Sequence, residues 1–156
     1  RKNNLRRKLF AYLRSQNITC LIATHDSTDA LSFADQTIVL KEGKLHAKNT
    51  PQDLYKYPPD KYVASLFGDV NEISINKISS TEKSKKKVLL YPPEIRMGRK
   101  TGIEAKVLQS YFKGPAYLIK ADLRGEIVFF EHRSALTEGR EINLMISDKL
   151  ISSRKR

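Results

Sequence analysis

The sequence has 156 residues, with 29 lysines and arginines against 17 aspartates and glutamates and a formal net charge of +12. That length holds one ordinary domain or two small ones. No apolar run approaches the roughly 20 residues needed to cross a bilayer, and the charged opening residues do not read as a signal peptide. The lone Cys20 excludes an internal disulfide, and three scattered histidines without HExxH spacing lead us to expect no metal site. The positive charge invites a nucleic-acid or membrane-surface reading. Much of it gathers in Arg6-Arg7-Lys8, in Lys83 with Lys85-Lys86-Lys87, and in Arg154-Lys155-Arg156. Those are a helix face, a loop and a terminus, the usual homes of solvated charge.

Leu5, Leu9 and Leu13 at i, i+4 and i+8 predict the apolar stripe of a helix already under way at Arg1, with Tyr12 on the same face and Arg6, Arg7 and Arg14 outward. Gln16-Asn17 ends it. Ile18 to Thr24 is almost wholly apolar and β-branched, which predicts a short strand buried on both faces, with Cys20 an inert core thiol. It delivers Thr24-His25-Asp26 to a strand end, where ligands gather in open α/β sheets. On local features alone, His25 also reads as a loop histidine that satisfies its neighbours. Asp26 or Ser27 caps a helix through Ala34, and Asp29 supports its first turn.

Gln36 to Leu40 and Lys44 to Lys48 predict a hairpin around Lys41-Glu42-Gly43-Lys44, Gly43 supplying a positive φ. Thr50-Pro51 starts a helix, with Asp53 three residues after the cap, and Pro58-Pro59 stops it. Asp60 to Phe67 restarts a helix, with Gly68 as its C-cap. Beyond Gly68 the period becomes two-fold. Val70, Ile73 and Ile75 suggest an extended segment, Ser79 to Lys87 a polar loop or mobile insert, and Val88 to Tyr91 a strand before the turn Pro92-Pro93-Glu94. Strands follow at Ile103 to Phe112, Tyr117 to Leu123, Glu126 to His132 and Glu141 to Ser147, separated by glycine turns. Short strands with glycine turns and no long helix predict a small β-barrel. Residues 149–156 are expected to form a disordered basic tail.

The ordered series THD…DA…AD…VL..G.L…TP..LY..P over residues 1–69 resembles the last third of the nucleotide-binding domain of ABC transporters. Residues 70–148, with Leu90-Tyr91-Pro92-Pro93-Glu94-Ile95-Arg96 and the strands Glu126-Ile127-Val128 and Leu136 to Ile146, resemble the TOBE/OB-like regulatory domain of importer ATPases. Pro92 departs from that pattern, which has an arginine in an Arg-Pro-Glu turn. The resemblance implies an α/β remnant of a P-loop NTPase nucleotide-binding domain followed by a small all-β OB-like barrel. It also implies that His25 is the switch histidine, a catalytic and cofactor-binding residue whose N–H reaches the γ-phosphate. Phosphoryl transfer depends on donors aimed at charge spread over phosphate oxygens. Asp26 reads as a loop-orienting or capping residue.

The sequence contains no GxxxxGKS/T phosphate loop, no LSGGQ-like signature and no apolar strand ending in Asp-Glu. The resemblance therefore implies a C-terminal fragment of the ATP-binding subunit of an ABC importer, inactive alone. ATP and Mg2+ belong to the full-length parent and are not expected on the fragment. The implied partners are a second copy of itself in a homodimer and transmembrane permease subunits, at the inner face of the cell membrane on the cytoplasmic side. The short barrel leans away from sugar-type systems toward an iron(III)- or polyamine-type one. The alternative is a basic OB-like module that holds single-stranded nucleic acid through Tyr111, Phe112, Tyr117, Phe129 and Phe130. No dedicated stacking pattern stands out. Alternate aromatics would fill the barrel, and Phe129 and Phe130 must point opposite ways.

Overall fold

The computed structural model describes residues 2–79, 84–98 and 101–154, and the chain divides into two compact units between Pro59 and Asp60. The first unit opens with α1 (Lys2–Ser15), followed by α2 (Ser27–Phe33), the hairpin β1 (Thr37–Lys41) and β2 (Lys44–Asn49), and α3 (Pro51–Lys56). Local chemistry accounts for these boundaries. At the end of α1 the Ile18 amide donates to the Leu13 carbonyl and the Asn17 amide to that of Arg14, with Asn17 at φ 52°; this is the left-handed cap that asparagine tolerates. Glu42 (φ 52°) and Gly43 (φ 74°) give the hairpin the two positive central φ values that match strand twist. The Thr50 hydroxyl accepts from the Asp53 amide at 3.2 Å, and Pro51 takes the first helical position.

Two expectations for this unit are corrected. Ile18 to Thr24 is no buried strand: it has no regular structure, and Ile18, Leu21 and Ile22 are 50, 92 and 47 % exposed. A strand exists by ladder pairing to a neighbour, and no described residue pairs with this segment. Cys20 is accordingly exposed rather than a core thiol. The stripe of α1 is also turned. Leu5, Leu9 and Tyr12 are exposed, whereas Arg6, Phe10 and Leu13 are the half-buried series. Phe10 stacks on Phe33 of α2, ring centroids 4.5 Å apart, and that contact sets which face of the helix is covered.

The second unit begins with α4 (Lys61–Ser65), capped by Asp60, whose carboxylate accepts from the Val63 amide at 2.9 Å. The ribbon β3 (Asn71–Ser74) and β4 (Lys87–Leu90) flanks a short α5 (Ile75–Ile78). A 3₁₀ turn at Pro92–Glu94 leads to β5 (Arg96–Gly98), β6 (Ile103–Phe112), β7 (Tyr117–Leu123), β8 (Glu126–His132), β9 (Glu141–Met145) and α6 (Asp148–Arg154). Of the expected polar loop Ser79 to Lys87, residues 80–83 lie outside the described set. The sequence boundary at residue 69 differs from the break at Pro59, because Val63 and Ala64 of α4 are fully buried and the Tyr91 hydroxyl reaches the Ala64 carbonyl at 3.4 Å.

Strands β5 to β9 form an antiparallel five-stranded sheet in the order β5-β9-β6-β7-β8. Its edge strands β5 and β8 approach each other, so the sheet curls into a half-barrel compatible with an OB-like domain. A register shift between Val107 and Gln109 bends β6 where it leaves β9. Gly102 (φ 138°) passes so close to β9 that a Cβ would lie 2.5 Å from the Leu144 carbonyl oxygen, an approach open to glycine alone. Inside the curl, Ile73, Leu90, Ile95, Val107, Ile119, Leu123, Val128, Phe130 and Leu144 are at most 1 % exposed. Each such side chain contributes about 1.5–3 kcal/mol on leaving water.

One buried amide joins ribbon to sheet. Asn71 is 3 % exposed. Its Oδ1 accepts from the Phe129 amide at 2.7 Å, and its Nδ2 donates to the Phe129 carbonyl at 2.8 Å and the Leu90 carbonyl at 3.2 Å. Nearby, the Ser74 amide donates to Glu126 Oε2 at 3.0 Å and the Ser74 hydroxyl to Glu126 Oε1. The expected disordered tail is corrected as well. Residues 148–154 are helical because Ile151 (4 % exposed) enters the core and Arg154 (7 %) is held by Glu94; Lys155 and Arg156 lie outside the described residues.

Two outcomes follow from this packing. Asn71→Ala strands the Phe129 amide and carbonyl, and should lower the stability of the second unit by about 2–4 kcal/mol in a denaturant titration; a change below about 0.5 kcal/mol would contradict the role given to this amide. In amide exchange on the whole chain, residues 103–147 should form the slow set and residues 5–40 the fast one, with Ile18 to Thr24 near unfolded rates. Strong protection of Ile18 to Thr24 in dilute solution would mean that the segment has found a sheet.

Candidate functional site

The residues before α2 are organised by short polar side chains. Thr24 Oγ1 accepts from the Asp26 amide at 3.0 Å and donates to Asp29 Oδ2 at 3.3 Å. Asp26 is the N-cap of α2, its Oδ1 accepting from the Thr28 amide at 2.9 Å. Arg6, reaching over from α1, pairs with Asp29 at 2.8 Å and approaches Asp26 at 3.7 Å. Both carboxylates thus have structural duties, and the capping role read for Asp26 in the sequence is the one it performs.

The Thr28 amide and hydroxyl hydrogen bonds, followed by the charges of Arg6 and His25, hold the Asp26 carboxyl below its usual range. A carboxylate depressed in the folded state gives a contribution that is present above its ordinary pKa and is lost as the pH falls through the lower folded value. The cap is therefore intact at neutral pH.

His25 lies between Thr24 and Asp26, and its side chain is exposed. The loop bonds the residues on both sides and leaves the imidazole to solvent. Arg6 is the participant that sequence reasoning missed. It reads as an outward arginine from stripe periodicity, and only the rotation of α1 set by Phe10 and Phe33 brings it to Asp29. Among the described residues, no group of three or more His, Cys, Asp or Glu side chains comes together as a metal site would require.

The aromatics of the second unit do not form one platform. Phe130 is fully buried and Phe129 lies on the opposite face of β8. Phe112, 70 % exposed, packs against Tyr117 with centroids 5.3 Å apart, and the Tyr111 hydroxyl donates to Gln109 Oε1 at 2.7 Å. On the outer face of β9, β6 and β7, Lys106 sits in register with both Asp122 and Glu141. Arg124 and Glu104 line the same shallow groove, a surface of mixed sign rather than a basic track.

No protein-family model matches the chain. It is 26 % identical over 148 residues to the Fe(3+) ions import ATP-binding protein FbpC of Photorhabdus laumondii, covering 83 % of this chain and 42 % of that protein. It is 25 % identical to the spermidine/putrescine import ATP-binding protein PotA of Mycoplasmopsis synoviae, covering 81 % of this chain and 34 % of the relative. Over a shorter stretch of 71 residues it is 45 % identical to the Fe(3+) ions import ATP-binding protein FbpC of Yersinia enterocolitica, covering 45 % of this chain and 20 % of that protein. The chain thus spans less than half the length of these relatives. The chain is similar to ATP-binding subunits of ABC importers, mostly in the C-terminal part of those proteins.

Proposed function

We propose that this chain is the C-terminal portion of the ATP-binding subunit of an ABC importer, a protein that couples ATP binding and hydrolysis to solute uptake, of iron(III) or polyamine type. The observation that carries the reading is similarity over 83 % of the chain, through both units, to an iron(III) import ATP-binding protein. On this reading residues 1–69 close a P-loop nucleotide-binding domain, and residues 70–148 are its TOBE-type regulatory domain. The unpaired, β-branched and exposed segment Ile18 to Thr24 supports it. Such a segment has the composition of an inner strand of a parallel sheet and lacks only the neighbours.

His25 would act as a positioned N–H donor to the γ-phosphate. Its support is the exposed imidazole on a loop whose flanking residues are already bonded. The chain offers that donor and not the cradle, since its sequence has no phosphate loop and no Asp-Glu strand end. ATP and Mg2+ would be handled by the longer protein. Its partners would be a second copy, forming a homodimer, and permease subunits at the cytoplasmic side of the membrane. No helix among the described residues is long and apolar enough to cross a membrane.

The isolated chain should show no ATP turnover above a mock preparation. In the longer subunit, His25→Ala should cut turnover by roughly tenfold or more while nucleotide affinity changes little, because one transition-state donor is lost and the main phosphate contacts are kept. Turnover at the parent rate in that variant would remove His25 from the mechanism.

The alternative, a basic OB-like module for single-stranded nucleic acid, is disfavoured by the burial of Phe130 and the pairing of Phe112 with Tyr117. Only weak, sequence-indifferent binding that falls steeply with salt is expected. Sub-micromolar affinity at physiological salt that drops on Tyr111→Ala or Phe129→Ala would reverse the choice.

A further inference from the structure

The turn after β4 has an unusual anchor. Glu94 turns back to accept from the Tyr91 amide at 2.8 Å through Oε2, closing the Pro92–Glu94 turn. The same carboxylate receives a two-pronged guanidinium: Arg154 Nη1 donates to Oε2 at 2.6 Å and Nη2 to Oε1 at 2.8 Å. Arg154 Nη1 also donates to the Leu89 carbonyl at 3.1 Å, and its Cζ lies 5.4 Å from the centre of the Tyr91 ring. The arginine side chain is only 4 % exposed and that of Glu94 19 %. One residue near the end of the chain therefore touches the last residues of β4, the first residue of the turn and the carboxylate that closes it.

Beyond Arg154, α6 is held chiefly by two apolar side chains. Ile151 enters the core and Leu150 packs against its edge. Ser152 and Ser153 face solvent, and the helix start is bonded only locally, with the Leu150 and Ile151 amides donating to the Ser147 carbonyl. The five-stranded sheet is complete without it: every strand pairing runs among β5 to β9.

We propose that α6 is a latch, releasable without unfolding the sheet, whose Arg154 sets the conformation of the Tyr91–Glu94 turn. Pro92 has no guanidinium to offer, and Arg154 brings one from 60 residues further along the chain than Glu94. When the latch is on, the carboxylate is neutralised and stays on the Tyr91 amide. When it is off, Glu94 is left with the amide alone in a partly dry site, the Leu89 carbonyl loses its donor, and the turn loosens. Two planar forks, guanidinium and carboxylate, make the contact geometric as well as electrostatic, which lysine cannot reproduce.

Residue-resolved amide exchange on the whole chain tests this. Arg154→Met should speed exchange at Tyr91, Glu94 and Ile95 by roughly tenfold or more, as expected for a lost charge-assisted bond, and leave Val107, Ile119 and Val128 unchanged. Arg154→Lys should recover part of the protection. Glu94→Gln keeps an acceptor for the Tyr91 amide and removes the charge; it should speed exchange at residues 150–154 and leave Tyr91 nearly as slow as before. Unchanged exchange at the turn in Arg154→Met would overturn the proposal. So would a uniform loss of protection across β6 to β8 in both the Arg154→Met and Glu94→Gln variants, since α6 could then not be released without unfolding the sheet.

Discussion

A side-chain amide presents an N–H and a C=O at the spacing of a peptide group and has a second N–H to spare, so an asparagine can stand in for a residue of a β-ladder. Asn71 does this on the outer edge of β8, exchanging both hydrogen bonds with Phe129 while its second N–H holds the end of β4. Without it, β8 would present an open edge and the ribbon β3–β4 would lose the two hydrogen bonds that tie it to Phe129. A buried polar group left without a partner costs about 1–3 kcal/mol, roughly twice what a made bond contributes, so the amide favours complete pairing. The same ribbon delivers Ile73, Val88 and Leu90 fully buried into the core of the second unit, so a polar residue stands beside the apolar contacts that it helps to align.

The strands β6 to β9 were legible from alternation and from the turn chemistry of Gly114, Gly125 and Gly139, because local preference and tertiary packing agree there. The caps at Asp26 and Thr50 were legible for the same reason. Asn71 was not, since a polar residue inside the extended segment Val70 to Ile75 carries no sign of its own of what it will meet. Its role depends on Phe129, 58 residues away. The helix at 148–154 was missed because a polar, basic end reads as solvated charge, and only the carboxylate of Glu94 makes burying Arg154 tolerable.

The segment Ile18 to Thr24 illustrates the opposite case. Its composition states a strong preference, but a strand is a relation between segments, and periodicity describes one partner at a time. At the candidate site, His25 and the Asp26 cap could be read from the chain. The ion pair of Arg6 with Asp29 could not, because helix rotation is set by which neighbour is present. The stacking of Phe10 on Phe33 decides it here.

The exposure of Ile18, Leu21 and Ile22 also bears on how the chain behaves in concentrated solution. Seven successive residues without a charge or a proline, rich in β-branched side chains and displayed without a strand partner, are the composition of a self-templating strand. The flanking residues include gatekeepers, Arg14 on one side and His25-Asp26 on the other, but none interrupts the run. Copies that meet along this segment would cover their apolar surface and pair the amides beyond Ile18. The feature that suits it to the interior of a sheet therefore makes it the chain's main route to aggregation when no sheet covers it.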